Sequence, residues 1–159
     1  MFDELTLVFI KNLLWAMALG GAIGLERSFR NKAAGFRTMM LICTGTTIFV
    51  DAAIVVASRS GVADPGLERM LGNIISGIGF LGAGSIFHSA EKNAVEGLTT
   101  AAAIWSVAGI GMLIGLGLYA YACTATFFAL ITLLCFGAVE RKILNFLREA
   151  PQRFRRKTK

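Results

Sequence analysis

The sequence predicts an all-α fold: a polytopic membrane helix bundle of five transmembrane helices. Three observations carry this. Gly97 to Val139 are 43 consecutive positions without an Asp, Glu, Lys, Arg or His. Crossing the hydrocarbon core takes about 20 apolar residues at roughly 1.5 Å rise each, so this run holds two spans back to back. Apolar residues make up 55% of the chain and charged ones 16%, with a mean hydropathy of +0.66; that is the profile of a polytopic protein. Finally, the basic residues gather in two segments, and their separation fixes the parity of the crossings.

The first span reads from about Leu5 to Leu25, interrupted by Lys11. The N-terminus opens Met1-Phe2-Asp3-Glu4, acidic where a secretory signal is basic, so this first segment is expected to be retained. The second span runs from about Thr38 to Ala57 and contains Asp51; the third is Met70 to Phe87. The fourth and fifth divide the long uncharged run at Gly115-Leu116-Gly117, where the backbone can turn without a Cβ penalty. Residues 1–139 form the membrane domain, and 140–159 a basic tail.

The loop from Glu26 to Arg37 holds Arg27, Arg30, Lys32 and Arg37, and the tail holds eight Lys/Arg. Positive residues close to membrane ends stay cytoplasmic. Both segments on one side require an even number of crossings between them, which four crossings satisfy and three do not. The N-terminus is therefore expected outside and the C-terminus in the cytoplasm. The tail also accounts for the entire net charge of +6, since its eight cations face only Glu140 and Glu149. The basic balance thus describes a tail and gives no ground for a nucleic-acid partner. Ile143, Leu144, Phe146 and Leu147 share a helical face up to Pro151, which reads as an interfacial helix on anionic lipid. A topology anchor and a docking site for a partner are both open for it.

Glycines recur inside the spans. Gly20 and Gly24 are four apart, as are Gly111 and Gly115, while Gly77, Gly79, Gly82 and Gly84 crowd the third span. Small residues at such spacing let helices approach closely in lipid, so the third span is expected to be the central, most enclosed helix. A backbone-lined cavity is the other reading. Gly77-Ile78-Gly79-Phe80-Leu81-Gly82 matches GxGxxG literally, but it lies within one apolar span and lacks the strand-turn-helix frame a dinucleotide site needs.

Ionisable groups at membrane depth call for a functional hypothesis. Lys11 and Asp51 both lie roughly 9 Å below the outer boundary of their spans, and Arg69 and Asn73 enter the third span from the same side. These four form an outer polar layer in which Asp51 is expected to pair with Lys11 or Arg69. Snorkelling cations beside an Asp51 bonded to a hydroxyl, and a proton or ion relay, are the alternatives. A second layer on the cytoplasmic side comprises Glu26, Arg27, Arg37, Thr38, Glu96, Thr99 and Thr100, with His88 and Glu91 nearby. Glu96 precedes the fourth span, where a carboxylate favours a helix N-terminus.

No catalytic set is visible. There is one histidine, no Ser/His/Asp arrangement and no metal-ligand cluster, so no enzyme, metal or cofactor is expected. Cys43, Cys123 and Cys135 lie in apolar runs, an odd number that argues against a disulfide framework. Mg²⁺ prefers one or two carboxylates and keeps most of its water. With only Asp51 clearly intramembrane, and cations at its depth, a dedicated Mg²⁺ conduit is poorly supported.

Two stretches carry a family resemblance. Gly20-(x)3-Gly24-Leu25-Glu26-Arg27 followed by Ala34-Gly35-Phe36-Arg37-Thr38 resembles the opening of the MgtC/SapB family of bacterial inner-membrane proteins. Ser76-Gly77-Ile78-Gly79-Phe80-Leu81-Gly82-Ala83-Gly84, then Gly97-Leu98-Thr99-Thr100-Ala101-Ala102 and Trp105, is similar to its central signature. The resemblance implies a multi-pass protein of the bacterial inner membrane with five spans. It also implies a link to adaptation to low Mg²⁺ and, in pathogens, to virulence through survival inside phagocytes. Members are often labelled Mg²⁺ transporters, yet the resemblance points rather to regulation of other membrane machinery, the ATP synthase included. Glu26, Arg27, Arg37, Thr38, Arg69, Thr99 and Thr100 fall on its motif positions.

This chain departs from the pattern at Asp64-Pro65-Gly66-Leu67-Glu68-Arg69, where the Asp-Pro pair usually directly precedes the Arg, and at Asn73, where Gln is usual. It also ends in a basic tail where many members carry a soluble domain. The leading expectation is a regulator that contacts another membrane protein through glycine-rich faces, or self-associates. The alternative is a small transporter or channel for Mg²⁺, protons or another ion. A conduit requires the two polar layers to be joined by a hydrated path; a regulator requires a closed bundle and an exposed small-residue face.

Overall fold

The computed structural model describes residues 3–60, 66–90 and 93–136. Five helices account for most of them: α1 (Glu4–Phe29), α2 (Phe36–Ser60), α3 (Gly66–Gly84), α4 (Leu98–Gly115) and α5 (Tyr119–Ile131), the last continued by a π-turn over Thr132–Phe136. A two-stranded antiparallel hairpin, β1 (Phe87–Ser89) and β2 (Ala94–Glu96), joins α3 to α4, with Phe87 opposite Glu96 and His88 opposite Val95. The hairpin departs from the all-α expectation. Gly97 ends it with φ +94, and a Cβ there would overlap the Ser85 carbonyl oxygen, so only glycine fits this entry to α4.

The long uncharged run breaks where the sequence placed its pivot. α4 ends at Gly115, Gly117 takes φ +73, and α5 opens at Tyr119. α1, α2 and α4 are each long and apolar enough to cross a membrane, and Tyr119–Cys135 is a shorter apolar helix. α3 falls outside that group because Glu68, Arg69, Asn73 and its glycines dilute its apolar residues.

The core lies among α1, α2 and α4. Ile23, Met39, Val107, Ile110 and Ile114 are its largest buried apolar side chains, with Cys43 and Val50 between them. Close backbone approach builds it. A Cβ on Gly20 would lie 2.7 Å from the Cys43 Cβ, and one on Gly24 2.7 Å from the Phe36 Cα, which sets α1 directly on α2. On the other side of α2, a Cβ on Gly111 would overlap Thr46 Oγ1 and the Cys43 carbonyl, and one on Gly115 would sit 2.7 Å from the Val50 Cβ. In hydrocarbon such contact is what drives helices together. The corner between α1 and α2 is locked locally: Ser28 Oγ accepts the Phe36 amide at 2.8 Å, and Gly35 leaves room for it.

The expectation that the third span is the most enclosed does not hold. α4 is, with half of its apolar window buried against one third for α1 and α2. α3 buries only Gly82, which faces Ala101, while nothing lies within 4 Å of a Cβ on Gly72, Gly77, Gly79 or Gly84. Residues two apart point to opposite sides of a helix. At about 100° per residue, Gly77 and Gly84 share one side of α3, and Gly79 and Gly82 lie across from them.

Candidate functional site

Two polar clusters sit on the buried face of α1, at positions 12 and 26. Fourteen residues of α-helix separate them by about 21 Å.

The first cluster joins α1, α2 and α5. Asn12 is 2% exposed, and its amide is used at both ends. Its Nδ2 donates to Asp51 Oδ1 at 2.9 Å, and its Oδ1 accepts the Tyr119 hydroxyl at 2.5 Å. Asp51 Oδ2 is buried without a hydrogen-bond partner. Lys11 places its ammonium 4.9 Å from the centre of the Tyr119 ring, and Trp15 packs on the same ring at 5.9 Å between centroids. A cation over an aromatic face contributes about 0.5–1 kcal/mol where exposed.

The expected pairing of Asp51 with Lys11 or Arg69 therefore does not form. A neutral amide reaches the carboxylate first, and the lysine turns to an aromatic face. Arg69 and Asn73 are exposed on α3. Asn12 and Tyr119 were not singled out from the sequence. Asn12 was legible there, because it lies on the same helical stripe as Ala16, Gly20, Ile23, Gly24 and Arg27, all buried.

The second cluster lies at the other end of α1. Glu26 is 6% exposed and Arg27 2%. Glu26 Oε1 is 2.6 Å from Arg30 Nε, and its Oε2 is 3.7 Å from Arg27 Nη1. Arg27 Nη2 donates to the buried Thr100 Oγ1 at 3.2 Å, tying α1 to the first turn of α4. Neither Glu26 carboxylate oxygen has a hydrogen-bond partner, nor does Arg27 Nε, so the carboxylate is held by its two ion pairs. Of the second layer read from the sequence, the structure thus brings Glu26, Arg27 and Thr100 together. Arg37, Thr38 and Thr99 are exposed and make no hydrogen bond or ion pair with them, while Glu96 lies in β2 and His88 in β1. Glu91 and the tail 140–159 lie outside the described residues.

Packed side chains fill the space between the clusters: Ala16, Ile23, Met39, Cys43, Val107 and Ile110. The polar groups there are satisfied locally. Thr46 bonds carbonyls of its own helix, and the Thr47 hydroxyl lies 2.9 Å from the Cys43 carbonyl and 2.8 Å from that of Gly111, donating to one at a time. An open groove of about 490 Å³ runs between α3, α4 and α5, lined by Ile75, Ile78, Trp105, Met112, Leu113 and Ala129. None of its lining side chains is ionisable. Among the described residues, no group of three or more His, Cys, Asp or Glu is placed to hold a metal ion.

Comparison with known proteins agrees with these motifs. The MgtC family model matches residues 13–142. Protein MgtC of Salmonella typhimurium is 43% identical over 143 residues, covering 90% of this chain and 57% of its own length. Protein MgtC of Brucella abortus is 47% identical over 116 residues, 73% of this chain and 46% of that protein. Protein SrpB of Synechococcus elongatus is 39% identical over 148 residues, 89% of this chain and 80% of that protein. The chain therefore spans about half the length of the MgtC proteins it matches. No solved structure matches it. Residues 13–142 hold both polar clusters except Asn12 and Lys11 at their edge, and on this match the chain belongs to the MgtC family.

Proposed function

We propose that this protein is a non-enzymatic, multi-pass protein of the bacterial inner membrane that acts on other membrane machinery by direct contact. The observation that carries this reading is the closed core between the two polar clusters, combined with the open small-residue surface of α3. In lipid, a helix surface of small residues is an association surface. Gly72, Ser76, Gly79 and Ala83 are all exposed along α3. The partner is another membrane protein, with the ATP synthase as one choice, or a second copy of this chain. The setting is adaptation to low Mg²⁺ or envelope stress, and virulence where the host organism is a pathogen. Membership of the family supports that setting. The chain crosses the membrane five times, with its N-terminus outside and its basic tail, on anionic lipid, in the cytoplasm; the distribution of Lys and Arg supports this topology.

The second reading, a small ion transporter, rests on the unpartnered Asp51 Oδ2 at membrane depth. Ion flux into proteoliposomes, read with Mg²⁺- and proton-sensitive dyes, separates the two. The contact reading expects folded, inserted protein to give no flux above empty liposomes. Flux that Asp51→Asn abolishes would overturn it in favour of transport. Reporter fusions after Arg59 and within the tail test the topology, and the tail fusion alone should report a cytoplasmic location.

A further inference from the structure

Arg30 stands just past the end of α1, yet it touches two elements far apart in sequence. Its Nε lies 2.6 Å from Glu26 Oε1. Its Nη2 donates to the carbonyl of Leu134 at 3.3 Å, across 104 positions of chain. Leu134 is the middle residue of the π-turn Thr132–Phe136 that follows α5.

A π-turn is rare, and its i→i+5 pattern displaces backbone groups from regular α geometry. In surroundings poor in water, a carbonyl left without a donor is costly. Arg30 supplies a charged donor to the Leu134 carbonyl. Its other end is ion-paired with the buried Glu26 carboxylate at 2.6 Å, closer than the 3.7 Å at which Arg27 faces the second oxygen. Arginine suits this position because its donors are spread over three nitrogens in a rigid plane. Lysine carries its charge at one point and can match one end or the other.

We propose that Glu26 and Arg30 form a latch that holds the π-turn after α5 against the end of α1. Glu26 is the buried anchor and Arg30 the two-ended clamp. Opening the latch frees the π-turn while the α1–α2–α4 core stays closed. Arg30 is the exposed partner of the pair, with 27% of its side chain accessible against 5% for Glu26. The latch therefore opens from the Arg30 side.

Hydrogen–deuterium exchange of the full chain in lipid nanodiscs tests this. Arg30→Gln removes the charge, Arg30→Lys keeps it but loses the fork, and Glu26→Gln removes the anchor. All three are expected to speed exchange of amides 130–136 by about tenfold, in proportion to a lost charge-assisted hydrogen bond. Exchange of amides 104–114 in α4 should stay unchanged. Unchanged protection at 130–136 in both Arg30 variants would overturn the latch. Full protection in Arg30→Lys alone would overturn the two-ended clamp. Equal acceleration in α4 would also overturn it, because Arg30 would then be a support of the whole bundle.

Discussion

α3 and α4 are apolar, glycine-rich helices of nearly the same length, 19 and 18 residues, and they meet opposite fates. α4 buries nine residues and packs against α1, α2, α3 and α5. α3 buries Gly82 alone and leaves Phe80 82% exposed. α3 has six glycines and α4 only three, so what buries a helix here is their spacing and not their number. Gly111 and Gly115 are four apart and present one flat strip to α2, whereas the four central glycines of α3 are spread over two opposite sides. α4 turns its face into the bundle, while the small residues that do line up on α3, Gly72, Ser76, Gly79 and Ala83, point out of it.

The largest effect is expected where that face is blocked. Gly111→Val would drive a branched side chain into Thr46 Oγ1 and the Cys43 backbone, where a carbonyl cannot move aside as a flexible side chain can. We expect a loss of about 3 kcal/mol, the upper end of overpacking, seen as reduced recovery of folded, monodisperse protein and a lower thermal midpoint in detergent. The corresponding change on α3, Gly77→Val, meets open space. If both variants behaved alike, spacing would not be what sets these helices apart.

The same contrast holds for two asparagines. Asn12 is buried and bonded on both sides, while Asn73 is exposed on α3. Asn12→Leu leaves the Asp51 carboxylate and the Tyr119 hydroxyl without partners, a cost of about 1–3 kcal/mol. Asn73→Leu should leave the stability of the solubilised protein within about 0.5 kcal/mol. Tyr119→Phe is a milder cut through the Asn12 network, about 1 kcal/mol. Combined with Asn12→Leu it should add almost nothing further, because the hydroxyl has already lost its acceptor. Additive costs in that double-mutant cycle would mean that the two residues act separately.

Much of the fold was legible because its signals are local. Runs of apolar residues set α1, α2 and α4, and the Gly115-Leu116-Gly117 break set the α4–α5 turn. Gly20, Gly24, Gly111 and Gly115 announced packing faces without naming what they would meet. The missing step was the choice of neighbour. Nothing in the third span says that α4, with contacts to four helices, takes the centre. The pairing expected for Asp51 failed for a related reason. Depth along each span placed Lys11, Asp51 and Arg69 at one level, but depth is one coordinate, and the angle around each helix decides who touches whom. Asn12 shares the glycine stripe of α1 and faces inward; Lys11, one residue earlier, is turned by about 100° and is exposed. The Glu26–Arg27–Thr100 contact rested on motif positions 73 apart, which only the folded chain could join.

The smallest effect carries the sharpest sign. In an exposed stretch of helix, alanine is favoured over glycine by about 0.5–1 kcal/mol, because glycine gives up more backbone freedom on folding. Gly77→Ala and Gly79→Ala add a methyl where nothing lies within 4 Å, so each should raise the thermal midpoint of the solubilised monomer slightly. Gly20→Ala, the same change on α1, meets the Cys43 Cβ and the Met39 carbonyl and should lower it. The α3 variants then separate two roles that stability alone cannot. Where a partner packs on the side of α3 that carries Gly72, Ser76, Gly79 and Ala83, a methyl at Gly79 should weaken association while the isolated chain becomes more stable, and Gly77→Ala on the opposite side is the control. Crosslinking yield in native membranes reads the first quantity and thermal unfolding in detergent the second. Opposite movement of the two in Gly79→Ala would mark α3 as an association surface, and unchanged crosslinking in that variant would leave its glycines without that role.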